Sequence, residues 1–179
     1  MENTSSTQKT FNIQPKYLSK VKAICKFLAD NEKWKERANE LYNQKEYGYA
    51  LLNLWNMIEA TLKLLWYIEH PDDFSDNLDK DKFNDEWDFL KNIAQSNHKE
   101  LNKILDISIQ PKKPGGQPKY LRNLRNDIVH FNYIPKKKTK VDEYKNAANS
   151  ILQLLSKELA SKSEYSEILE TIKKIEKIQ

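Results

Sequence analysis

One long apolar segment in the first half of the chain constrains the fold more than any other feature. It reads EYGYALLNLWNMIEATLKLLWYIEHP and runs from Glu46 without a proline until Pro71. A proline cannot continue a helix, because it lacks the backbone donor and its ring clashes with the preceding turn. The segment therefore predicts a long helix that ends near Pro71. We expect it to be the central and most buried helix of the protein.

The composition extends this interpretation to the whole chain. Only three of the 179 residues are glycine and six are proline, whereas residues that favour helices are abundant. Apolar residues also recur at helical spacing from Pro15 onward, between Phe83 and Leu105, and from about Val141 to Ser161. We expect an all-α fold, a bundle of about five to seven helices.

The length is typical of one domain. Residues 1–13 are polar and predict a flexible N-terminal tail, which leaves residues 14–179 as a single α-helical domain. The chain has no signal architecture and no apolar run near the roughly 18 residues of a membrane span, so we expect a cytoplasmic protein without membrane contact. The one cysteine, Cys25, lies in the apolar stretch VKAICKFLA and predicts a buried thiol.

Basic charge is concentrated in one segment. Residues 111–140 hold nine lysines and arginines against one acid, Asp127, so this segment carries +8 and the remainder of the chain −4. A local excess of positive charge raises the concentration of a polyanion around whatever lies beside it. The segment begins with the loop QPKKPGGQPK and ends with the run KKKTK, residues 136–140.

Between those two runs lies the stretch YLRNLRNDIVHF, residues 120–131. Because a helix turns 100° per residue, one face within about 80° is apolar and consists of Leu121, Leu124, Ile128 and Phe131. A neighbouring sector is mostly polar and holds Arg122, Arg125, Asn126, Val129, His130 and Tyr133. Any amphipathic helix has polar residues beside its core face, so spacing alone does not separate a solvated face from a site.

The residue types in the polar sector are more informative than their spacing. An arginine presents a fixed fork of donors to a phosphate, and a histidine can exchange a proton near neutral pH. These two groups are what a ribonuclease without a metal needs.

The stretch RNDIVH, residues 125–130, resembles the R-x-x-x-x-H motif of the HEPN superfamily of small α-helical domains. The polar residue after the arginine, Asn126, is also typical of that family. The motif stands in a late helix, is followed by FNY, and has a long apolar helix carrying WNMIEATLKLL upstream. By architecture the resemblance covers residues 40–160.

The resemblance implies a helical bundle that forms a symmetric dimer, in which the two motif helices share one cleft. Many HEPN domains cleave RNA without a metal or cofactor, often as toxins or as effectors of antiviral defence. The resemblance therefore implies that Arg125 and His130 are catalytic, and that Asn126 orients the histidine or a phosphate oxygen. It also implies an RNA substrate, a homodimer, and an antitoxin or defence-system partner.

RNA carries its own nucleophile, the 2′-hydroxyl. The protein must remove that proton, stabilise charge on the phosphorus and protonate the 5′ oxygen that leaves. We expect products with 2′,3′-cyclic phosphate ends, and no cleavage of DNA. We also expect five lysines to bind the RNA backbone: Lys119, Lys136, Lys137, Lys138 and Lys140. The run KKKTK is equally typical of a solvated loop.

Three further residues are auxiliary candidates. Glu59 lies on the long apolar helix, where some HEPN domains carry an acid near the site, although it also fits the polar edge of that helix. Arg122 shares the polar sector with Arg125. Tyr133 is similar to a tyrosine in toxins paired with a nucleotidyltransferase antitoxin, but it follows His130 by three positions rather than two.

The alternative is a HEPN-like module that binds RNA, a nucleotide or a protein partner without cutting. No histidine, cysteine or carboxylate spacing resembles a metal site, so we expect none.

Overall fold

A computed structural model describes residues 11–72, 121–131 and 135–177, with side chains in the second range described for residues 125–130. These residues contain no β-strand and six α-helices: α1 (Leu18–Ala29), α2 (Asn31–Asn43), α3 (Tyr47–Glu69), α4 (Leu121–Phe131), α5 (Lys138–Ser161) and α6 (Ser163–Glu176). The all-α prediction is confirmed for this part of the chain. The helical pattern between Phe83 and Leu105 lies outside the described residues.

Helix α3 is the centre of the packing. Twelve of its 23 residues are buried, among them the large side chains of Trp55 and Tyr67. Thr61 is the one polar residue buried among those described, and its hydroxyl donates to the carbonyl oxygen of Met57 at 2.8 Å. The helix ends just before Pro71, as the sequence predicts.

Helices α5, α2 and α1 pack around α3, with the most extensive contacts made by α5 and α2. Val21 and Cys25 on α1 are buried against this core. Burial raises the pKa of the Cys25 thiol to about 11, so the thiol stays protonated at neutral pH. The prediction of a buried thiol is confirmed.

The N-terminal segment and α6 close another part of the core. The Phe11 ring meets the Tyr67 ring edge-on at 5.7 Å between centroids, and the Phe11 backbone N–H donates to the Glu167 carboxylate of α6. Ile13 is buried. The sequence placed Phe11 and Ile13 in the tail, whereas here they contact the core; residues 1–10 lie outside the described part.

Helix α5 begins at Lys138, three residues before the start that the sequence predicts at Val141. That prediction treated the whole run KKKTK as a break, which is wrong for its last three residues. In the first turns Lys138 binds Asp142 at 3.0 Å and Lys140 binds Glu143 at 2.6 Å. Such pairs three and four positions apart favour the helix over a loop.

Within residues 11–72, 121–131 and 135–177, none of the helices has both the length and the apolar character that a membrane span needs.

Candidate active site

Helix α4 contacts the start of α3 and also packs against α5. A Cβ placed on Gly48 of α3 would lie 3.5 Å from Ile128 Cγ2 and 3.9 Å from Pro135 Cδ. These are ordinary contact distances, so a methyl group fits at position 48, whereas a larger side chain would meet Ile128 and Pro135. Ile128 packs on the core, as its place on the apolar face predicts. The side chains of the other three residues of that face are outside the described set.

Arg125 is held by its neighbour rather than by an acid. Its Nη1 donates to Asn126 Oδ1 at 2.9 Å, and both side chains are half-buried. Arg125 makes no ion pair with any described residue, whereas Arg37 on α2 pairs with Glu40 at 3.0 Å. Since a guanidinium is always charged in proteins, Arg125 presents a positive charge on α4 that no acid of the described residues compensates.

His130 lies on the same helix and is exposed. It makes no hydrogen bond within the described part of the chain. Five positions separate it from Arg125, which on an ideal helix is about 140° around the axis and about 7.5 Å along it. One copy of the chain therefore places the two groups near each other without bringing them into contact.

Asn126 bonds to Arg125 and not to His130. The family resemblance implies that this asparagine orients the histidine or a phosphate oxygen. In the structure its side-chain oxygen accepts from the guanidinium, and the predicted contact with the histidine or a phosphate oxygen stays a prediction.

Glu59 is tied to its own helix. One carboxylate oxygen accepts from the indole N–H of Trp55 at 3.1 Å, and the other pairs with Lys63 at 3.0 Å. No bond joins it to Arg125, Asn126 or His130 among the described contacts. These bonds fit the polar-edge interpretation, and a part for Glu59 in the site stays a prediction.

The predicted lysines fall into distinct groups. Lys136 and Lys137 are exposed and form no ion pair with the described residues. Lys138 and Lys140 are partly neutralised by Asp142 and Glu143. Lys119 and Tyr133 are outside the described residues, as is the side chain of Arg122, so their predicted roles stay predictions.

Sequence reasoning missed a contact between α2 and α5 beside the lysines. The Tyr42 hydroxyl of α2 donates to the Asp142 carboxylate of α5, and Lys145 Nζ lies 4.1 Å above the Tyr42 ring. Hydrogen bonds from Tyr42 and then Lys138 lower the pKa of Asp142, while the proximity of Tyr42 and then the bond to Asp142 raise the pKa of Lys138. The joined residues are 100 positions apart, and no local pattern links them.

Sequence reasoning also passed over Tyr49, whose side chain is 62% exposed. A glycine inside a helical pattern lowers helix propensity, so its presence indicates a packing constraint at that position. Gly48 could therefore have marked this part of α3 in advance.

No group of three or more histidine, cysteine or acidic side chains that could hold a metal is found in the described ranges.

Comparisons of the chain with protein-family models, with curated proteins and with solved structures found no match. The likeness to HEPN domains therefore depends on the motif of α4 and on the residues around it.

Proposed function

We propose that the protein is a metal-independent endoribonuclease of HEPN type that acts as a homodimer. The observation that carries the proposal is the Arg125 guanidinium, which has no acidic partner among the described residues and is held by Asn126 on the same helix as an exposed histidine. A half-buried cation without an acidic partner is suited to an anionic ligand, and an exposed imidazole beside it can exchange protons with that ligand.

The reaction follows from these groups. Arg125 binds the scissile phosphate and stabilises the charge that develops on its oxygens. The 2′-hydroxyl loses its proton to a histidine and attacks phosphorus, while the bond to the 5′ oxygen breaks and that oxygen gains a proton. The products are a 2′,3′-cyclic phosphate and a 5′-hydroxyl. DNA has no 2′-hydroxyl and is not a substrate.

The dimer belongs to this proposal because one proton is removed and another is delivered, while each copy supplies one His130. A two-fold axis beside α4 brings two arginines and two histidines to one cleft. Val129, next to His130, is 46% exposed and is an apolar side chain that the second copy would cover. We propose toxin–antitoxin or antiviral defence as the setting, on the family resemblance alone.

The test is cleavage of single-stranded RNA by the purified protein in EDTA, with the ends of the products mapped. We expect cyclic phosphate ends from the wild type, and no cleavage of DNA of the same sequence. Arg125→Ala should lose activity by about 10²–10³-fold, the usual effect of removing one charged donor to the transition state. Arg37→Ala is the matched control, because Arg37 is already paired with Glu40. Equal rates for the two variants would overturn the role of Arg125.

A non-catalytic module that binds RNA, a nucleotide or a protein partner is the second candidate. It is favoured by the absence of a hydrogen bond between Arg125 and His130 among the described residues. Binding of RNA by the wild type without cleavage of any RNA in EDTA would replace the first proposal with this one.

A further inference from the structure

One end of the bundle combines an exposed tyrosine with a group of lysines. Three elements meet there, because a Cβ on Gly48 of α3 would lie beside Ile128 of α4 and beside Pro135 of the segment that precedes α5. Tyr49 follows Gly48 directly, and Lys136 and Lys137 follow Pro135 directly. We call Tyr49, Lys136 and Lys137 the tyrosine–lysine surface.

We infer that the tyrosine–lysine surface binds single-stranded RNA beside α4, with a base stacked on Tyr49 and the phosphates against Lys136 and Lys137. The inference rests on the proposed function. It names the form of the substrate and adds Tyr49, which lies on a different helix from the catalytic candidates.

The tyrosine ring is available for stacking. Tyr49 and Val129 are the two large apolar side chains exposed among the described residues, and Tyr49 is the more exposed at 62%. Asn53 donates to the backbone carbonyl oxygen of Tyr49 at 3.1 Å. No described residue forms a hydrogen bond with the Tyr49 side chain. An aromatic face stacks on any base, but only where the base is unpaired, so the ligand is single-stranded.

The segments that adjoin this end of α3 carry net positive charge. The α2–α3 turn and residues 136–145 together hold six lysines and three acids: Lys45, Lys136, Lys137, Lys138, Lys140 and Lys145 against Glu46, Asp142 and Glu143. Asp142 and Glu143 are bound by Lys138 and Lys140, so neither acid pairs with Lys136 or Lys137. No acid of the described residues pairs with these two exposed ammonium groups, so they are available to a phosphate backbone.

The same composition argues against a second copy of the chain as the occupant. Cores of protein interfaces are depleted in lysine, and a stable interface buries about 1,200 Å² or more. A single exposed tyrosine among exposed lysines offers little apolar area to a protein. It offers RNA an aromatic ring for a base and ammonium groups for the phosphates.

The test measures binding of a fluorescent single-stranded 2′-O-methyl RNA, which keeps bases and phosphates but has no hydroxyl to attack. Tyr49→Ala should raise Kd by about 5- to 100-fold, the usual effect of losing one base stack. Tyr49→Phe should bind like the wild type, because the ring is kept and only the hydroxyl is lost.

Salt dependence tests the lysines. The double variant Lys136→Ala/Lys137→Ala should flatten the slope of log Kd against log salt by about 1.4, since each phosphate contact with a single strand contributes about 0.7. Lys173→Ala/Lys174→Ala, two exposed lysines near the end of α6, is the matched control and should leave the slope unchanged.

The outcomes separate this inference from the proposed function. Wild-type affinity in Tyr49→Ala overturns the inference, while cleavage of RNA by the wild type in EDTA still supports the function. If Tyr49→Ala instead halves the mass measured by light scattering, the occupant is a second copy and the inference is also overturned. A wild type that does not bind the probe overturns it whether or not RNA is cleaved.

Discussion

Helices α3 and α4 are in contact, but they differ in how deeply their side chains are buried. Twelve of the 23 residues of α3 are buried, and other helices pack around it. In α4, the side chains of residues 125–128 are half-buried and those of Val129 and His130 are exposed. Both helices follow the same apolar period, so the period alone does not tell which residues are free for chemistry.

The difference lies in how many positions packing constrains. Nearly every turn of α3 must fill space in the core, and a change there alters the stability of the protein. Among its described side chains, α4 packs on the core through Ile128. Arg125, Asn126 and His130 can therefore be of types that a core would exclude. We expect changes in α3 to affect stability first, and changes in the polar sector of α4 to affect activity first.

The largest loss of stability should come from a truncation in α3. Leu65 is fully buried, and Leu65→Ala should lower the free energy of unfolding by about 2–5 kcal/mol, since it removes apolar contacts and leaves a cavity. Denaturant unfolding measures this. Val129→Ala on α4 is the comparison and should lose less than Leu65→Ala, because Val129 is 46% exposed in one copy and can lose only the contacts of a second copy. Equal losses for the two variants would contradict the comparison.

A smaller effect is expected where the two helices meet. Gly48→Ala should be tolerated, because its Cβ would lie 3.5 Å from Ile128 Cγ2, and it should add up to about 1 kcal/mol through helix propensity. Gly48→Leu should cost about 1–3 kcal/mol, because its longer side chain needs the space of Ile128 and Pro135.

The displacement of α4 in Gly48→Leu should also reduce RNA cleavage by folded protein. Unfolding and cleavage are measured on the same preparations of both Gly48 variants. Full activity in Gly48→Leu would mean that the packing of α4 on α3 does not position the candidate site.

The smallest effect concerns the contact between Tyr42 of α2 and Asp142 of α5. The Tyr42 hydroxyl and Lys138 hold the pKa of Asp142 below its unfolded value, so the carboxylate stabilises the fold above about pH 4 and loses that effect as pH falls through the folded pKa. Asp142→Asn should therefore unfold slightly earlier than wild type at pH 7. The difference in thermal midpoint should shrink in acid, and a constant difference would assign the effect to something other than the charge.

Local rules in the sequence predict much of this fold. Pro71 sets the end of α3, and the apolar face predicted for α4 correctly places Ile128 on the core. The start of α5 is not predicted correctly, because a run of lysines is typical of a break in a helix, although Asp142 and Glu143 follow at the spacing that pairs with Lys138 and Lys140.

The arrangement of the site is less predictable. The bond from Tyr42 to Asp142 joins residues 100 positions apart. The bond of Asn126 to Arg125, instead of to His130, depends on side-chain rotamers that a sequence pattern does not specify.

The central claim is that α4 supplies chemistry rather than stability, and His130→Ala tests it most directly. Cleavage of single-stranded RNA in EDTA and the free energy of unfolding are measured on one preparation, with His70→Ala, an exposed histidine beyond α3, as control. We predict a fall in rate of at least about 10²-fold, with the free energy of unfolding unchanged within about 0.5 kcal/mol. Equal cleavage by His130→Ala and wild type, or a loss of activity that follows a loss of folding, would contradict the account.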